Sequence, residues 1–136
     1  IPPINVAWSR SLAYQAPATA SNVFQGLVDT YGPAMALDDD TDSRWATDAG
    51  THQAWLEVDL RQPTRISRAV IDEALENRIR KFELQAQVGE VWQPIFAGEV
   101  VGRDCTCPFP PTTARHIRLN ILEATEGPTI WEFQVY

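Results

Sequence analysis

The chain has 136 residues, 44% of them hydrophobic, a size at which one domain buries roughly two-thirds of its unfolded surface without staples. Eleven Lys and Arg against eighteen Asp and Glu leave a net charge of -7; no basic run is long enough to neutralise a row of phosphates, so no nucleic acid and no membrane surface is expected as a partner. No apolar run approaches the roughly 18 residues of a membrane helix, and the Ile1-Pro2-Pro3 start, without a leader, reads as a soluble piece of a larger protein.

In chain order, Trp8 follows the apolar pair Val6-Ala7 and reads as a packing residue, and residues 15–33 form a long irregular stretch. The segment 35–45 then places Asp38, Asp39, Asp40 and Asp42 within five positions, directly before Ser43-Arg44-Trp45. A second irregular stretch, 46–53, precedes a series of short runs rich in β-branched and aromatic residues. These predict strands at 54–60, 65–72, 79–87, 91–97, 106–109, 116–122 and 130–136. Gln62-Pro63 and Pro110-Pro111 read as strand stops, Val88-Gly89-Glu90 as a tight turn, and Gly127-Pro128 as the turn before the last strand. Period-2 alternation is clearest where Ile117, Leu119 and Ile121 share a face and Arg118 and Asn120 point away. The same parity puts Trp131, Phe133 and Val135 on one face of the last strand and Ile130, Glu132 and Gln134 on the other. With no 3.6-residue periodicity, the pattern predicts an all-β sandwich of seven or eight strands.

The candidate chemistry is sparse. Cys105 and Cys107, two apart on a strand, read as free thiols packed as small hydrophobes; a single Cys-x-Cys lacks the ligands of a zinc site. His52 and His116 are the only imidazoles and no G-x-S-x-G is present, so no nucleophilic triad is expected. His116 sits in a strand and reads as a surface or edge side chain, while His52, near Asp48 and Thr51, reads as a loop residue able to donate a contact. Crowded carboxylates at 38–42 repel one another unless a cation neutralises them, and hard oxygen donors suit calcium. They also fit a solvated acidic turn. An EF-hand is excluded: counting from Asp38, Ser43 stands where its turn glycine belongs and Ala49 where its closing glutamate belongs. Of the tryptophans, Trp45 and Trp55 read as structural, Trp92 as half exposed, and Trp131 as either core or rim.

Several of these segments together resemble the coagulation factor V/VIII C-type, or discoidin, family. They are Asn5-Val6-Ala7, Ala36-Leu37-Asp38, Ser43-Arg44-Trp45, Trp55 to Leu60, Arg78 to Glu83, Thr113 to Leu119 and Gly127 to Phe133. Within that family the chain is most similar to family 32 carbohydrate-binding modules, and its 121–130 stretch to the C-terminal domain of bacterial family 29 α-L-fucosidases. The resemblance implies a jelly-roll β-sandwich, galactose-binding-domain-like, forming a single module over residues 1–136. It implies a non-catalytic, monomeric accessory domain of a secreted, periplasmic or cell-surface glycoside hydrolase of α-L-fucosidase type.

It also implies a structural Ca2+ held by the side chains of Asp38, Ser43 and Glu132 and the carbonyls of Met35, Asp40, Ser43 and Trp131. A sugar site would lie at one end of the sandwich between the loops 46–53, 72–77 and 125–129, for a fucose- or galactose-containing glycan. The contacts expected there are Asp48, His52, Asp72, Glu73, Glu76 and Asn77, with Trp131 stacking on the sugar. Two positions depart from the galactose pattern: Ala46 stands where a histidine is common, and an acidic residue near Asp72 takes the place of the middle-loop arginine. Arg78 reads equally as a structural pairing residue or a contact. Other members of the family bind phosphatidylserine through apolar tips, here Phe24 and Leu27, or prop up a neighbouring domain; the acidic charge disfavours the lipid reading.

Overall fold

The computed structural model describes residues 10–75 and 77–136; Trp8, the 5–7 segment and Glu76 lie outside the described residues. Among these, the strands are β1 (Ala18–Ala20), β2 (Trp45–Ala46), β3 (Ala54–Glu73), β4 (Ile79–Val88), β5 (Val91–Gly98), β6 (Cys105–Ala124) and β7 (Thr129–Val135). Among the described residues helix is confined to α1 (Val28–Tyr31) and the 3-10 turns Phe24–Gly26 and Pro33–Ala36.

All pairings are antiparallel, and two strands of 20 residues each organise them. The first half of β3 pairs with β1 and with the second half of β6, which continues to β4 and β5. The second half of β3 pairs with the start of β6 and with β7, whose other neighbour is β2. β3 and β6 therefore belong to both layers of a jelly-roll β-sandwich.

The sequence divides each of these strands in two, and the structure corrects that reading. The prolines do not end the strands; Pro63 lies where the β3–β6 register jumps between Asp59 and Thr64, and Pro110-Pro111 where it jumps between Ile66 and Arg68. A residue without an N–H is tolerated where the ladder is already interrupted, and Arg61, at φ 74°, lies in the first of these interruptions. β1 and β2, of three and two residues, are too short to leave a pattern.

The core follows the alternation. Leu56 and Val58 of β3, Phe82 and Leu84 of β4, and Ile117, Leu119 and Ile121 of β6 are at most 1% exposed. They meet Ala69, Ile71, Cys107, Ile130, Phe133 and Val135 from the other layer. Each large side chain buried this way contributes roughly 1.5–3 kcal/mol. Cys105 and Cys107 are free thiols with sulfurs 3.9 Å apart, and burial pushes the Cys107 thiol upward in pKa.

Parity fails on β7. Asp72 pairs with Glu132 and Glu73 with Ile130, so Trp131 has no partner on β3. One extra residue swaps the faces on either side of it. Ile130 is therefore fully buried alongside Phe133, while Trp131 is only partly covered. Trp55, expected to be structural, is half-buried on the outer face, where the Arg118 guanidinium lies 4.9 Å from its ring centre and 4.3 Å from that of Trp92. Glu57 accepts a 2.7 Å ion pair from the same arginine.

Candidate functional site

At one end of the sandwich four loops enclose a cleft of about 330 Å³. Trp45 anchors it from below: it is fully buried, and its indole N–H donates to the Asn22 carbonyl at 3.0 Å. This ties the 22–31 segment, which contributes Phe24 and Tyr31, to the chain leaving β2, which contributes Ala46, Thr47 and Ala49. The β3–β4 turn supplies Leu75 and Arg78, and the β6–β7 turn supplies Glu126, Gly127 and Thr129. Phe24 and Tyr31 meet edge to face at 5.3 Å.

Hydrogen bonds to backbone hold the loops in register. Arg78 donates to the Gly127 carbonyl at 2.8 Å, Thr47 to the Pro128 carbonyl at 2.7 Å and Thr129 to the Trp45 carbonyl at 2.9 Å. A β-carbon on Gly127 would lie 2.5 Å from the Asp48 carbonyl oxygen, so only glycine lets these two loops meet. Glu126 Oε1 accepts from the N–H groups of Gly50 and Gly127, which lowers its pKa.

The three loops expected around a sugar site meet at this cleft, but none of the described contact candidates lines it. Asp48 is a staple: its carboxylate accepts from the Gln25 N–H at 2.6 Å and the Asn22 amide at 3.1 Å, and the Gln25 bond is the larger cause of its lowered pKa. Glu73 is withdrawn as a sugar contact, being 0% exposed with its two oxygens accepting from the N–H groups of Ile79 and Gly102. Asp72, 8% exposed, is likewise occupied, in a 2.7 Å ion pair with Arg103. His52 is exposed, with Nδ1 2.7 Å from the Ala124 carbonyl, the geometry of a donated N–H. Asn77 is exposed beside Arg78.

Trp131 faces a separate depression with Asp29, Thr30 and Asp42. Arg44 lies between the two hollows, 5.7 Å from the Tyr31 ring centre and 5.8 Å from that of Trp131. The sequence singled out Trp131 and missed Arg44, Tyr31, Thr47 and Leu75. Only Arg44, inside the Ser43-Arg44-Trp45 motif, carried a signal that could have found it.

The acidic segment folds back on β7. The Ser43 hydroxyl lies 2.5 Å from an Asp38 carboxylate oxygen, 3.4 Å from the Met35 carbonyl and 3.3 Å from the Asp40 carbonyl. Three acceptors thus crowd a hydroxyl that has one proton to give. Glu132, 8% exposed on β7, faces Asp38, and its Oε1 is buried without a hydrogen-bond partner. Burial first, and the Asp38 carboxyl second, push Glu132 up to about 9.

Two carboxyl groups, a hydroxyl and two carbonyls in this arrangement form a hard-oxygen set in which one carboxyl oxygen has no partner, which fits a calcium ion. Among the described residues no three His, Cys, Asp or Glu side chains gather as a metal cluster, consistent with a set in which carbonyl and hydroxyl oxygens predominate. The side chains of Asp39 and Asp42 are engaged elsewhere, Asp39 with Arg10 at 3.2 Å and Asp42 in the lining of the Trp131 depression, while the Asp39 N–H reaches Glu132.

The fold has known counterparts. The F5/8 type C domain family matches residues 17–133. The chain belongs to that family. A protein of Oryza sativa subsp. japonica, provisionally named alpha-L-fucosidase 1, is 29% identical over 132 residues; the match takes in 95% of this chain and 26% of that protein. The chain thus spans about a quarter of the length of its curated relative. A GH29 fucosidase of Ruminococcus gnavus, solved with fucose, superposes with a TM-score of 0.83 and 28% identity, over 93% of this chain and 26% of that one. A Clostridium perfringens CBM32 module solved with GalNAc-β-1,3-galactose has the same fold, with a TM-score of 0.81 and 21% identity over 94% and 99% of the two chains.

Proposed function

We propose that this F5/8 type C domain is a non-catalytic carbohydrate-binding module stiffened by a structural calcium ion, attached to a glycoside hydrolase of α-L-fucosidase type and working outside the cytoplasm. The observation that carries the sugar reading is the loop-end cleft itself. It combines aromatic rings of Phe24 and Tyr31 with the polar groups of Arg78, Thr47 and Glu126, the mixture that grips hydroxyls on one side and a sugar's C–H face on the other. The fucosidase match and the sugar-bound module of like fold support the same reading.

Calcium would be held by Asp38, Ser43 and Glu132 with the carbonyls of Met35, Asp40 and Trp131. Bound there, it supplies positive charge to the orphaned Glu132 oxygen and ties β7 to the acidic loop, a contribution to stability. A shallow cleft buries little of a sugar, so affinity is modest and retention comes from linkage to the parent enzyme.

Titration calorimetry against fucosylated and galactosylated oligosaccharides and chitotriose tests the function. Saturable heat with at least one of them, weakened by Arg78→Ala, is expected. A folded domain that takes none at millimolar concentration is instead a structural unit of its parent.

A further inference from the structure

The cleft contains an apolar wall as well as its polar groups. Leu75 lines it at 50% exposure and with φ 53°, a left-handed backbone that bulky side chains avoid. The residues on either side of that turn are pinned. The Ala74 N–H donates to the Thr129 carbonyl at 3.0 Å, the Thr125 N–H to the Arg78 carbonyl at 2.8 Å, and the buried Glu73 carboxylate fixes the start of β4. The fold thus holds a leucine in water, in a strained conformation, at the mouth of the cleft. Ala46, Ala49 and the Phe24 ring share the lining with it, while Arg78 and Glu126 provide its polar groups.

A hydroxyl set against Leu75, Ala46 and Ala49 loses water and finds no donor or acceptor on those side chains; a methyl group there gains burial. We propose that the cleft selects a hexose bearing a methyl group, either the C6 methyl of a 6-deoxyhexose or the acetamido methyl of an N-acetylhexosamine, over the fully hydroxylated sugar. The inference rests on the sugar-binding reading above and names the class of sugar that the same site takes.

The test uses pairs of sugars that differ only at the methyl-bearing position, titrated into the intact domain. L-fucose is compared with L-galactose, which adds one oxygen at C6, and N-acetylgalactosamine with galactose. A preference on the order of tenfold for the methyl-bearing member of one pair is expected, since an apolar pocket discriminates an added hydroxyl only moderately. The pair that shows it identifies the source of the methyl. Leu75→Asn, which suits a left-handed backbone, should leave the melting temperature unchanged and bring that ratio close to one. Equal affinities within both pairs would overturn the methyl inference and leave sugar binding standing. No binding by any of the four sugars would overturn the methyl inference alone if one of the oligosaccharides above still binds, and both readings if none does.

Discussion

Two groups of carboxylates flank the buried Trp45, and they behave in opposite ways. On the cleft side, Asp48, Glu73 and Glu126 each accept at least one backbone N–H, so each carboxylate closes a loop. On the β7 side, Asp38 and Glu132 confront each other and one Glu132 oxygen is buried with nothing to accept. Acidic residues near a site are thus equally able to be mortar or ligands. What separates them is whether a carboxyl oxygen is left buried without a donor, as Glu132 Oε1 is.

The largest effect that sharpens this contrast is expected at Glu73. Glu73→Ala leaves the Ile79 and Gly102 N–H groups without their acceptor and should cost about 3 kcal/mol in urea unfolding. The loss should be the same with calcium or with chelator, because Glu73 belongs to the satisfied group. A loss that appears only in calcium would place Glu73 with the ligands and break the division.

The second effect concerns the unsatisfied pair. Calcium at a hundredfold excess over its dissociation constant should stabilise the domain by about 2.7 kcal/mol, a rise in melting temperature on the order of 10 °C. Glu132→Gln should abolish most of that increment and barely change stability in chelator, since the amide replaces a carboxyl that burial keeps protonated at neutral pH. Identical melting of the unaltered domain in calcium and in chelator would remove the ion from the account.

A smaller effect is expected at an ion pair remote from both sites. The Arg115 guanidinium, 2.8 Å from Asp59, is the main cause holding that carboxyl at about 2 in the folded chain, against about 3.9 when unfolded. The folded state binds fewer protons across that interval. The pair's contribution is therefore complete above the unfolded value and lost as pH falls through about 2. Asp59→Asn should cost less than about 1 kcal/mol at neutral pH, and the difference from the unaltered chain should vanish in strong acid. A difference that persists there would assign the effect to the Arg61 N–H bond that Asp59 also accepts.

Much of this molecule was legible in its sequence, unevenly so. The alternation of Ile117, Leu119 and Ile121 marked a core face because parity is a local property, and the 38–43 cluster stood out as a candidate cation site because charge density is local too. Trp131 stayed open between core and rim because a one-residue bulge, invisible in the pattern, breaks the parity of β7. Prolines 63, 110 and 111 suggested strand ends because nothing local tells a stop from a bend inside a strand of 20 residues. The cleft residues were harder still. Phe24, Arg44, Leu75 and Glu126 come from four separate loops, and their meeting depends on the Gly127 contact and the Trp45 anchor, which exist only in three dimensions. The resemblance located the loops, but of the acids expected as contacts Asp48 and Glu73 are already engaged with the backbone and Asp72 with Arg103.

The most direct test of the central claim is a residue-resolved NMR titration of the isotope-labelled domain, in calcium, with a sugar that calorimetry shows to bind. Amide shifts concentrated at Ala46, Thr47, Ala49, Leu75, Arg78 and Gly127, with Trp55, Gln85 and Trp92 on the outer face unmoved, are the predicted result. Shifts confined to that outer face, with the cleft amides still, would contradict it.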